Sequence, residues 1–134
     1  MSETFYLYVE DDRLSRTVME MLLRDMMGIS TFAIFEDSEH FMDRLKALPV
    51  RPNVILLDIQ IQPLNGFQML KMIRNDPAFQ NCRVIALTAS VMNQEVEALR
   101  KAGFDGTIGK PLNAVIFPEL LKKIERGEAV WQIS

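Results

Sequence analysis

Val54-Ile55-Leu56-Leu57-Asp58 is the stretch that decides the fold. Four apolar residues in a row leave no polar face. A strand with one wet face would alternate; an unbroken run fits a strand buried on both faces, the kind found in parallel sheets covered by helices. Pro52-Asn53 precede the run and Asp58 closes it. Val84-Ile85-Ala86-Leu87 repeats the pattern and ends at Thr88.

Working outward, Phe5-Tyr6-Leu7-Tyr8-Val9 reads as a strand that ends in three acids, Glu10-Asp11-Asp12. Leu14, Val18, Met21, Leu22 and Met27 follow at helical spacing, and Gly28 stops that helix. Thr31 to Phe35 reads as a second strand. Ser38 suits the N-cap of a helix carrying Phe41, Met42, Leu45 and Leu48, closed by Pro49. Gln62-Pro63-Leu64-Asn65-Gly66 is a turn. Phe67, Leu70 and Ile73 share a helical face until Asp76-Pro77 breaks it. Met92, Val96 and Leu99 mark a fourth helix, ended by Gly103. Thr107-Ile108-Gly109 is a short strand before Lys110-Pro111. A last helix begins near Ile116, takes Pro118 in its first turn, and carries Phe117, Leu120, Leu121 and Ile124 up to Gly127. Five strands alternate with five helices. That order predicts an α/β fold, a five-stranded parallel sheet with helices on both faces. In such folds the reactive site lies beyond the carboxyl ends of the strands.

The 134 residues suit one domain, with a core over about 5–126 and a short tail over 127–134. In that tail Val130-Trp131 either packs back on the domain or anchors a partner. With 49% apolar and 25% charged residues, a real core is available. Formal charge is −3, which gives no support to binding nucleic acid through its phosphates. One cysteine, Cys82, builds neither a disulfide framework nor a zinc site, and His40 is the only histidine. His40 reads as a surface helix residue away from the strand ends, and the methionines at 19, 21, 26 and 27 as core or near-core. No apolar run approaches the ~18 residues of a membrane span. Met1-Ser2-Glu3-Thr4 lacks the basic start of a signal peptide. A cytoplasmic protein is the expectation.

The strand ends hold Glu10-Asp11-Asp12, Asp58, Thr88 and Lys110. Carboxylates brought together repel, so at least one pKa rises unless a cation intervenes. A hard divalent ion such as Mg²⁺ relieves that conflict through oxygen ligands. An aspartate beside Mg²⁺, a lysine and a hydroxyl is placed to receive a phosphoryl group, because transfer needs chiefly alignment and neutralised oxygens. Each residue has a plainer reading too: Asp12 or Thr88 as a helix cap, Asp58 as a turn residue, Lys110 as a solvated side chain. Their arrival at one sheet edge is what favours the chemistry.

Here the chain resembles the CheY-like receiver domains of two-component response regulators. The matching segments are Val9-Glu10-Asp11-Asp12, Leu57-Asp58-Ile59-Gln60, Asn65-Gly66, Thr88-Ala89 and Lys110-Pro111, in order and at the usual separations. The resemblance runs from Phe5 to about Glu125. It implies a doubly wound, flavodoxin-like sheet of strand order 2-1-3-4-5. It implies Asp58 as phospho-acceptor, forming an aspartyl phosphate. Glu10 and Asp11 would hold Mg²⁺, Asp11 directly and Glu10 through water, with Gln60 offering its main-chain carbonyl. Thr88 would bind the phosphoryl oxygen and couple it to the loop before the fourth helix. Lys110 would pair with the phosphate, and a bend at Pro111 could hold a cis bond. The donor would be a partner histidine kinase or phosphotransfer protein, and the output a change in a protein-binding face. That face would be helix 4, strand 5 and helix 5, which could also join two copies. The chain would promote only its own phosphorylation and dephosphorylation.

Two departures stand out. Receivers often place proline where Gln62 stands, whereas here proline is one later, at Pro63. Three residues before Lys110 receivers commonly carry Tyr or Phe, a ring whose rotamer follows phosphorylation; Thr107 stands there, so the aromatic form of the switch is missing. Two other readings remain. A phosphohydrolase using Asp58 as nucleophile would need a second acid where Gln60 stands. A docking module indifferent to phosphate would fit Thr107 but not the acidic set.

Overall fold

The computed structural model describes residues 3–90 and 92–132. Met1, Ser2 and the last two residues of the expected tail lie outside them. In chain order the elements are β1 (Tyr6–Val9), α1 (Arg13–Glu20), a π-helical continuation (Met21–Met26), β2 (Phe32–Phe35), α2 (Phe41–Lys46), β3 (Val54–Asp58), α3 (Gly66–Arg74), a 3₁₀ turn (Pro77–Phe79), β4 (Arg83–Thr88), α4 (Asn93–Ala102), β5 (Gly106–Gly109), α5 (Phe117–Glu125) and β6 (Val130–Gln132). All strand pairings are parallel, in the order β2-β1-β3-β4-β5-β6. The expected flavodoxin-like order is present, with one strand more than expected.

The three central strands carry the fold. Every residue of β1 and β3 is buried, and β4 is buried from Val84 to Thr88. Alternate residues feed two cores. Leu7, Val9, Ile55, Leu57, Val84 and Ala86 pack under α2, α3 and α4 with Phe41, Leu70 and Leu99. Tyr6, Tyr8, Val54, Leu56, Ile85 and Leu87 pack under α1 and α5 with Met19, Leu23, Phe117 and Ile124. A strand sandwiched in this way has no wet side, which is why its sequence does not alternate. The chain winds from β1 out to β2 and returns to β3 on the other side of β1, so the winding reverses between β1 and β3.

Three regions depart from the sequence expectation: the first helix, the approach to α2 and the tail. The first helix widens from Met21, with Met27 N–H bonding Leu22 C=O five residues back. The wider turn changes the phase of the apolar stripe. Leu22 and Leu23 stay inside, while Met21 and Met26 face solvent, as does Leu14. Ser38 does not cap α2. It is fully buried, donates to Leu64 C=O at 2.6 Å and accepts from Leu64 N–H at 2.7 Å, stitching the loop after β2 to the loop after β3. His40 precedes α2 in a left-handed conformation (φ 51°), so it sits in the loop after β2 and not within a helix away from the strand ends.

The third is the tail. Gly127 turns the chain after α5 at φ +86°, and Val130–Gln132 lie beside β5. Gly106 makes this possible, because a Cβ there would collide with the Val130 carbonyl. Val130 is buried in the α1–α5 core. Trp131 is half-buried on the other face, with the Arg100 guanidinium 4.5 Å from its ring centroid. Of the two sequence readings of Val130-Trp131, the residues pack back on the domain. No helix among the described residues is long and apolar enough to cross a membrane.

Candidate functional site

The carboxyl ends of β1, β3, β4 and β5 converge, and each delivers a residue expected from the sequence. Glu10 follows β1 and extends its ladder, its N–H bonding Phe35 C=O at 3.0 Å. The backbone thus drives a carboxylate into a position that is only 1% exposed. Asp58 ends β3 and is also buried. Thr88 ends β4, and Lys110 N–H bonds the Thr88 carbonyl at 2.9 Å, tying the end of β5 to the same edge. Asp11 stands exposed at the mouth, and Asp12 caps α1 by accepting from Ser15 N–H at 2.8 Å.

One oxygen each from Glu10, Asp11 and Asp58 lies within 4.8 Å of the others. At that separation and an effective dielectric of ~20, the buried Glu10 and Asp58 charges would repel by about 3.5 kcal/mol. One lysine answers three acids. Lys110 Nζ donates to Glu10 Oε1 at 2.8 Å and reaches Asp58 Oδ1 only at 3.5 Å. Tyr8 Oη donates to the same Glu10 oxygen at 2.9 Å, and Asp12 N–H donates to Glu10 Oε2 at 3.2 Å. Glu10 is therefore well supplied with donors and Asp58 is not.

The titration behaviour follows. Burial pushes the Asp58 carboxyl up to about 7, and the hydrogen bond and charge of Glu10 push the same way, against Lys110. Burial also works against Glu10, but hydrogen bonds from Lys110, Asp58 and Tyr8 outweigh it and hold its carboxyl below the usual range. Lys110 is held above its ordinary value: burial opposes its charge, and the bonds and charges of Glu10 and Asp58 overcome burial.

The donor set suits a hard cation. It consists of carboxylate oxygens, with Asp11 open to solvent and Gln60 on the wall of the same cleft. The loop beyond Asp58 is shaped by Asn65 and Gly66. Asn65 and Gln68 form a reciprocal capping box on α3. A side chain at Gly66 would crowd Ile59 and the Asp58 carbonyl. Both Gln62–Pro63 and Lys110–Pro111 are cis; the second was expected, the first was not.

Two hydroxyls are committed locally. Thr88 Oγ1 accepts from Ser90 N–H at 3.1 Å and donates to Ser90 C=O at 3.3 Å, holding the start of the loop before α4. Thr107 is fully buried, and its Oγ1 donates to Ala86 C=O at 3.1 Å. Tyr8 was not anticipated as part of the site. Its signal was present: residues two apart on a strand share a face, and a buried tyrosine hydroxyl usually finds a partner.

Comparison with known proteins agrees with this geometry. Residues 6–125 match the response regulator receiver domain family. The polar-differentiation response regulator DivK of Brucella anthropi is 30% identical over 114 residues, covering 85% of this chain and 89% of that protein. The signal receiver domain of a DNA-binding response regulator from Colwellia psychrerythraea 34H superposes with a TM-score of 0.80 at 25% identity, over 92% of this chain and 99% of that one. The receiver domain of a sensor histidine kinase from Pseudomonas aeruginosa PAO1, crystallised with magnesium ion coordinated in its active-site cleft, superposes with a TM-score of 0.77 at 24% identity, over 91% and 97%. At that identity the likeness concerns the fold. With the acids, hydroxyl and lysine at the strand ends and a match spanning nearly the whole chain, this protein belongs to the response regulator receiver domain family of two-component systems.

Proposed function

We propose that the chain acts as a single receiver domain that accepts a phosphoryl group on Asp58 from a cytoplasmic histidine kinase or phosphotransfer protein. The observation that carries this reading is the under-supplied Asp58 carboxylate, buried at the end of the central strand beside a lysine 3.5 Å away. An Asp58 oxygen attacks the phosphorus of a phosphohistidine. The P–N bond breaks, an acyl phosphate forms, and the released imidazole takes up a proton. Asp11, Asp58 and the Gln60 main-chain carbonyl would hold Mg²⁺, with Glu10 reaching it through water; the ion supplies positive charge where phosphoryl oxygens gather. Lys110 supplies further positive charge, and Thr88 exchanges its bond to Ser90 C=O for one to a phosphoryl oxygen. The same groups would let the chain assist its own dephosphorylation.

Receiver domains are signalling domains, and the output we assign here is a protein-binding face that responds at α4, β5 and α5. A shift from 1:99 to 99:1 between two states needs ~5.5 kcal/mol. A few charge-assisted hydrogen bonds at ~1.5–3 kcal/mol each approach that. Thr107, bonded to Ala86 C=O, would rearrange less than an aromatic ring, so we route the response through Thr88 and Lys110. Any downstream partner, or a second copy of the chain, would meet β6 on the edge of β5. Incubation with acetyl phosphate and Mg²⁺, read by intact mass, should add one phosphoryl group to the wild type. An unmodified wild-type chain would overturn the proposal.

A further inference from the structure

We infer that Tyr8 is a positioning residue for the metal site, acting through Glu10; the inference rests on the Mg²⁺ reading above. β1 offers a built-in comparison. Tyr6 and Tyr8 lie two apart on one face of the same strand, each 1% exposed and packed in the α1–α5 core. Their rings have the same surroundings in kind, yet their hydroxyls differ. Tyr6 Oη has no hydrogen-bond partner among the described residues. Tyr8 Oη donates to Glu10 Oε1 at 2.9 Å. Packing explains both rings; it does not explain a phenol aimed at a buried carboxylate.

The bond matters because of what it leaves free. A carboxylate oxygen has two lone-pair sites. On Glu10 Oε1 both are occupied, by Tyr8 and by Lys110 Nζ. Oε2 accepts Asp12 N–H at 3.2 Å, and the Asp58 carboxyl lies against the same carboxylate. Tyr8, Lys110 and the Asp12 N–H together fix the carboxylate plane. The terminal torsion of glutamate is otherwise broad and soft. Burial and the neighbouring Glu10 charge push the Tyr8 phenol far up, so it stays a neutral donor. Lys110 is shared with Asp58, so Tyr8 is the donor dedicated to Glu10 alone. Its hydroxyl thus holds Glu10 still while Lys110 remains available to the acceptor.

The test is Mg²⁺ binding to the full chain, read by isothermal titration and by tyrosine ultraviolet difference absorbance. Wild type should bind Mg²⁺, and Asp11→Ala should bind it much more weakly. Tyr8→Phe should weaken binding about two- to threefold, less than Glu10→Ala, and lose the tyrosine difference signal. Tyr6→Phe, which alters an equally buried ring, should change neither. In a Glu10→Ala background Tyr8→Phe should have no further effect, because its action runs through Glu10. If wild type binds, Asp11→Ala binds about tenfold more weakly and Tyr8→Phe binds like wild type, the inference falls and the metal reading stands. An equal loss from Tyr8→Phe with and without Glu10 also overturns it, by making the effect one of general packing. A wild type that does not bind Mg²⁺ overturns both.

Discussion

The two ends of the sheet each hold a charged cluster, and the two are built on opposite terms. At the amino end, Arg74 Nη2 meets Asp105 Oδ2 at 2.6 Å and Gly103 C=O at 3.1 Å, while Nη1 bonds Cys82 C=O at 3.0 Å. Asp105 Oδ2 also accepts Val84 N–H at 2.8 Å. One cation meets one anion, and both are tied to the backbone of neighbouring elements. At the carboxyl end Lys110 meets Glu10 and Asp58, while Asp11 adds a third carboxylate beside them. The first cluster is complete within the protein and holds α3, β4 and β5 together. The second gathers more negative than positive charge. Unmatched charge, more than charge itself, distinguishes a site from a staple.

Changes at each end should separate these roles. Asp58→Asn should abolish acid-labile phosphorylation, measured as acyl phosphate by intact mass, and leave the fold intact. Retained modification at wild-type stoichiometry would break the contrast at once.

The same variant has a stability signature. Asp58 binds its proton more tightly folded, at about 7, than in the unfolded chain, near 3.8. Its stabilising contribution is therefore full below pH 4 and is lost as pH rises through about 7. Without Mg²⁺, Asp58→Asn should be more stable than wild type above pH 7 by about 2–4 kcal/mol. The difference should shrink toward zero near pH 4 and also with added Mg²⁺. Urea unfolding at several pH values checks this.

Arg74→Ala should destabilise by about 1–3 kcal/mol, since it strands Asp105 and two carbonyls. Mg²⁺ affinity should stay within twofold of wild type. A large change in Mg²⁺ binding would show that the two ends are coupled.

The smallest effect expected is in affinity. Asp11→Ala should weaken Mg²⁺ binding about tenfold, or about 1.4 kcal/mol, with little change in unfolding midpoint because Asp11 is exposed. Glu10→Ala should weaken binding less. Equal Mg²⁺ affinity in Asp11→Ala and wild type would remove Asp11 from the metal site.

What was legible in the sequence was whatever a single segment could state. Val54–Leu57 and Val84–Leu87 declare two-sided burial on their own, and the acids, Thr88 and Lys110 fall directly after strands, so topology alone gathers them. What was hidden depends on distant partners. Three residues, Val130–Gln132, have no periodicity of their own, and their place as a strand rests on Gly106, which a linear reading has no reason to pair with them. The outward turn of Met21 and Met26 depends on the π-helical widening, which helical spacing does not reveal. Tyr8 looked like core because its ring is core; its hydroxyl is the part that serves Glu10.

β6 also changes how the sheet ends. An unpaired strand edge is a template on which another chain can grow, and proteins guard against that aggregation hazard. At one margin, β2 lies under two arginines, Arg24 over Phe32 at 5.1 Å and Arg44 over Phe35 at 4.3 Å. At the other, the glycine-bounded β5, which cannot shield itself with bulk, is sealed by three residues of its own chain. Clipping those residues, or displacing them with a fused partner, would uncover the four-residue backbone ladder of β5 and favour self-association through that edge.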